Sequence, residues 1–252
     1  MGWFDRFRRQ PSGHDAMATA LAAARSGDYA TALAIWEPMA RAGNARAQNN
    51  IAACFMGGHG VEESAELAAR WLKLSAAAGD AVGQRNLATL YFRGEGVGQD
   101  DEEAMRLYRL AAGQGDAQAQ DMLSWMLAEQ GDYPQARLLA EQAAAQGVAA
   151  SMTRLGNLHH EALGVERDSA RALLWWRKAA AAGDADGQAM LGAALLTGSQ
   201  PDAVAALAWL LRARAGGSHL AQKFIPAATR QLSPDQRRQA ERRASGPLEQ
   251  ER

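Results

Sequence analysis

The sequence predicts an all-α fold: a right-handed α/α superhelical solenoid built from helix-turn-helix repeats. Three observations carry that expectation. Of the 252 residues 48% are hydrophobic but only 6% aromatic, alanine is prominent and there are 7 prolines, a mixture that suits closely packed helices. A run of small residues ending in glycine recurs at Gly43, Gly79, Gly115, Gly147, Gly183 and Gly217, with spacings of 36, 36, 32, 36 and 34 residues. Between these glycines the apolar residues fall in register on one helical face.

The register is visible column by column. The first helix of each unit carries Ile51, Leu87, Leu123, Leu155 and Leu191, with a small residue four positions earlier at Ala47, Gly83, Ala119, Ser151 and Gly187. Four positions later stand Phe55, Tyr91, Leu127, His159 and Leu195, which lengthen the stripe by a turn. The second helix pairs Ala68 with Trp71, Ala104 with Leu107, Ala172 with Trp175 and Ala206 with Trp209. Between the two helices lie GGHGV at 57–61, GEGV at 94–97 and ALGV at 162–165, where glycine permits a tight turn. A hairpin of this size cannot bury its apolar face alone, so the units must stack.

Taken along the chain, residues 1–14 are expected to form a flexible N-terminal segment. Residues 15–43 read as a degenerate first unit or cap, in which Pro38 should kink the second helix or mark a late start. Five full units follow at 44–79, 80–115, 116–147, 148–183 and 184–217, the third having the shorter QGDYPQA connection. Residues 218–244 should form capping helices, with Ser233 as N-cap and Pro234 in the first helical position, and 245–252 a tail.

Segments such as GQRNLATLYFRGEGVGQDDEEAMRLYRLAAGQG (83–115) and SMTRLGNLHHEALGVERDSARALLWWRKAAAAG (151–183) resemble Sel-one-like repeats, relatives of the tetratricopeptide repeat. The resemblance runs from about Asn44 to Gly217. It implies a non-enzymatic scaffold or adaptor that binds a peptide or helix of a partner protein on its inner surface. In the tetratricopeptide relatives that surface is lined by first-helix residues facing away from the packing stripe. Carried onto this chain, the geometry selects Asn49, Arg85, Asp121 and Thr153 in one row and Thr89, Trp125 and Asn157 in another. Phe92 and His160 form a third, with Arg93, Glu129 and Glu161 beside it, and Trp125 and Phe92 are the candidate anchors.

Other chemistries lack their parts. The formal net charge of −1 offers no basic field for a nucleic-acid backbone, and the arginines at 237, 238, 242 and 243 are interspersed with Asp235 and Glu241 as on a solvated face. The single Cys54 has no mate in the chain, which fits a reducing compartment, and the expected location is the cytoplasm. His159 and His160 are adjacent on a helix and point about 100 degrees apart, so they do not make a metal site. No GxxxxGK[ST], GxSxG, CxxC or HExxH motif occurs, and no cofactor or small-molecule substrate is expected. Two alternatives stay open: a hydrolase with a cryptic site around Glu161 and His160, and a membrane-associated organiser. The latter would use residues 1–10, where Trp3, Phe4 and Phe7 alternate with Arg6, Arg8 and Arg9.

Overall fold

The computed structural model describes residues 13–198 and 201–247, and over those residues the secondary structure is helix and turn without strand. The N-terminal aromatic and basic segment, 1–10, lies outside the described residues. The helices are α1 (Gly13–Arg25), α2 (Tyr29–Arg41), α3 (Ala45–Gly57), α4 (Ala65–Ala77), α5 (Ala81–Arg93), α6 (Asp101–Gly113), α7 (Ala117–Glu129), α8 (Tyr133–Ala145), α9 (Ala149–Glu161), α10 (Ser169–Ala181), α11 (Ala185–Thr197), α12 (Ala203–Ala215), α13 (Ala221–Arg230) and α14 (Pro234–Ser245). This is an all-α repeat solenoid. It divides into two units, Met1–Ala119 and Gln120–Arg252, and the boundary falls within α7.

Local chemistry fixes where the helices begin. Asp28, Asn44, Ser64, Asp80 and Asp100 each accept the backbone N–H three residues on, as do Asp132, Asp168, Asp184 and Asp202 in the second unit. Each such cap is worth about 1 kcal/mol. Val148, which precedes α9, offers no side-chain cap. Pro38 does not mark a late start: Asp28 opens α2 at Tyr29, and Pro38 stands in its last turns, where its carbonyl accepts the Ala42 N–H. The helix is already nucleated by that point, so the missing donor of Pro38 does not decide where it begins.

The first unit packs Met17, Trp36, Ile51 and Cys54 into one core, with Phe55, Val61 and Trp71 against its edge. Small residues set the closeness of approach. A Cβ on Gly83 would stand 2.2 Å from the Ser75 hydroxyl oxygen, and that hydroxyl donates to the Ala45 carbonyl at 2.8 Å. The second glycine of the GEGV loop is as close, and there the neighbour is backbone. Gly96 has φ +66, and a Cβ there would lie 2.2 Å from the Ala65 carbonyl oxygen at the start of α4. The loop of one repeat therefore rests on the first turn of the preceding repeat's second helix, which is why glycine recurs there.

In the second unit Leu155, Ala140 and Ala144 form one cluster, Trp176, Leu191 and Trp209 a second, and Leu207, Leu210, Leu232 and Ala240 a third. Gly164 repeats the loop contact, its absent Cβ directed at Tyr133, while Ala162 takes the left-handed conformation (φ 62) that Gly58 and Gly94 take in the first unit. The α7–α8 connection, like that between α1 and α2, is a short turn with glycine at positive φ, here Gly131 at 82°, before a capping aspartate. Ser233 and Gln236 form a reciprocal capping box at the start of α14, and α14 packs on α12.

Candidate partner-binding cleft

In the first unit the inner-row residues are joined to one another. The Asn86 amide donates to Asn49 Oδ1 at 2.8 Å, and Asn86 Oδ1 accepts from Arg85 Nε at 3.2 Å. Arg85 Nη1 then reaches Asp116 at 3.0 Å, which also caps α7 through the Ala119 N–H. Asn49 and Arg85 thus tie successive repeats together. Thr89 shares a 2.9 Å hydrogen bond with the Tyr108 hydroxyl, which is fully buried, and burial pushes the phenol above its ordinary pKa. Phe92 is half-buried, and Arg93 is exposed and pairs loosely with Glu95.

The second unit repeats the same logic with other residues. Thr153 donates to the α11 cap Asp184 at 2.7 Å, as Arg85 does to the α7 cap. Where the cap position is Val148, Asp121 instead accepts from Ser151 Oγ at 2.5 Å and Arg154 Nη1 at 2.7 Å. Asp121 is only 9% exposed, so it braces α7 against α9 rather than offering a carboxylate to solvent. Asn157 accepts the Trp176 indole N–H at 3.0 Å, and the absence of a Cβ on Gly156 makes room for that indole.

Between α7, α9 and the start of α11 these residues enclose a cleft of about 500 Å³. Trp125, 36% exposed, lines it together with Glu129, Tyr133, Arg154, Asn157, Asp184 and Asp186. His160 does not: its ring tilts against Trp176 at 5.3 Å and borders a separate, more apolar cavity of about 660 Å³ with Leu173, Met190 and Phe224. Of the residues selected from sequence, Asn49, Arg85, Thr89, Phe92 and Arg93 belong to the first unit; in the second, Trp125, Glu129, Thr153 and Asn157 border the cleft, whereas Asp121, His160 and Glu161 do not. Sequence reasoning passed over Tyr133, Arg154, Asp184 and Asp186. The signal for Asp184 was available, because an Asp or Asn recurs one residue before the first helix at 44, 80, 116 and 184. It also passed over Gln48, Gln84 and Gln188, whose amides donate to Ala40, Ala76 and Ala180 carbonyls of the preceding helix.

Among the described residues no three His, Cys, Asp or Glu side chains converge as a metal site would require, and no helix is long and apolar enough to cross a membrane. Cys54 is buried, and burial raises its thiol pKa. Against known proteins, the Sel1 repeat profile matches residues 45–80, 81–116, 117–148, 149–184 and 185–218. The chain belongs to the Sel1 repeat family. Sel1 repeat proteins generally mediate protein–protein interaction and are generally non-enzymatic. Among solved structures, a Sel1 repeat protein from Oxalobacter formigenes is 28% identical over 90% of this chain and 96% of its own, with a TM-score of 0.79. A Sel1 repeat protein from Klebsiella pneumoniae is 20% identical over 77% of this chain and 97% of its own, with a TM-score of 0.50, and shows the fold alone. No curated protein matches the chain.

Proposed function

We propose that this Sel1 repeat chain is an adaptor that holds a segment of a partner protein in the cleft formed by α7, α9 and the start of α11. The observation that carries the reading is the composition of that cleft: an exposed indole, Trp125, set among polar side chains in a recess of about 500 Å³. Aromatic anchors in a recess with a polar rim are the usual source of binding energy at protein interfaces. The inner-row residues Asp121 and Thr153 are committed to hydrogen bonds between repeats, and their part is to hold the walls rigid. A rigid recess binds with less loss of side-chain entropy than a mobile one.

The test is affinity capture from the native cell with the wild-type chain and Trp125→Ala side by side, both checked for helicity by circular dichroism. We expect a reproducible partner that the variant retains at less than a tenth of the wild-type amount. Equal retention by a folded variant would place binding on another face.

A further inference from the structure

The charges around the second-unit cleft are one-sided. Glu129, at the end of α7, is exposed and has no hydrogen-bond or ion-pair partner among the described residues. Asp186, in the first turn of α11, is exposed too, and engages Oδ1 with the Ser218 hydroxyl at 2.6 Å. Asp184 uses Oδ2 for Thr153 and the Gly187 N–H. The guanidinium in the lining, Arg154, is already neutralised by Asp121 at 2.7 Å. The recess therefore presents surplus carboxylates beside the Trp125 ring.

That combination selects for a cation. A guanidinium or ammonium gains from the face of an indole and from charge-assisted hydrogen bonds to carboxylates at once. An acidic segment would meet like charge and lose its hydration without compensation. We propose that the cleft receives a Lys or Arg side chain from a basic segment of the partner, held by the Trp125 ring together with the carboxylates of Glu129 and Asp186. This rests on the cleft being the partner-binding site and adds the chemistry of what enters it.

The experiment is selection of a random twelve-residue peptide library on the full-length chain, with each clone then titrated by fluorescence anisotropy. Trp125→Ala identifies the clones that use the cleft. The pair Glu129→Gln, Asp186→Asn removes charge while keeping shape and the Oδ1 that Ser218 uses, so its fold is insulated, and circular dichroism checks both variants. The expected result is that Trp125-dependent clones are enriched in Lys and Arg and bind the charge-neutral pair at least tenfold more weakly. Trp125-dependent clones without that enrichment, or with unchanged affinity for the charge-neutral pair, overturn the cationic specificity and leave the cleft as the binding site. If no clone depends on Trp125, both the specificity and the cleft fall.

Discussion

Asp121→Ala tests whether the inner row is architecture. The carboxylate accepts from Arg154 at 2.7 Å and Ser151 at 2.5 Å, and the two charged side chains are 16% and 12% exposed. A hydrogen bond to a charged group contributes about 1.5–3 kcal/mol, and both of these end on the carboxylate. Breaking a buried pair by removing one partner costs about 3–5 kcal/mol because the other charge is stranded. Arg154 keeps some access to water and a 3.4 Å contact with Ser124 Oγ, so the lower end applies and the expected cost is about 3 kcal/mol. Arg154→Ala in the same background should then cost little, giving a coupling of about 2 kcal/mol in a double-mutant cycle. Repeat arrays need not unfold in one step, so urea titration of the full chain should be read together with hydrogen exchange of the α9 amides. A loss under about 1 kcal/mol, or additive single variants, would refute the bracing role and return Asp121 to the candidates for partner contact.

Gly96→Ala should destabilise by about 3 kcal/mol or more because its Cβ collides with backbone, whereas Gly79→Ala, with φ +86 and nothing within 4 Å, should cost about 1–2 kcal/mol of strain alone. Denaturant midpoints compare them, and equal losses would refute the close approach of loop and helix. Ala162→Gly, which relieves a left-handed alanine at the end of α9, should stabilise by about 0.5–1 kcal/mol and raise Tm by about 1–3 °C in a calorimetric scan. Tyr108 is pushed up mainly by burial, so the fold favours its neutral form: that stability is complete below the ordinary tyrosine value of about 10 and is lost as pH rises through the folded-state value. Tyr108→Phe should flatten the alkaline arm of a stability–pH curve while losing about 1 kcal/mol at neutral pH with the Thr89 hydrogen bond. An unchanged alkaline arm would show that another group titrates there.

By itself the sequence determined the all-α repeat solenoid and its family, because the packing requirement is periodic. Ile51, Leu87, Leu123, Leu155 and Leu191 must each be buried between stacked helices, and all are buried. Glycine must stand where a Cβ would strike the preceding helix, as at Gly96 and Gly164. Such demands recur at every repeat and are written as columns. Which polar residues face a partner is decided only in three dimensions. Arg85, Asp121 and Thr153 share a row with Asn49, but whether such a side chain is spent within the protein depends on what stands about thirty residues away at the next helix cap: Asp116, Asp184, or Val148 with no side-chain oxygen to offer. A hydrogen bond between repeats consumes a side chain that sequence position alone leaves available: Thr153 borders the cleft with its hydroxyl already given to Asp184, and Asp121, buried and paired with Arg154, does not border it.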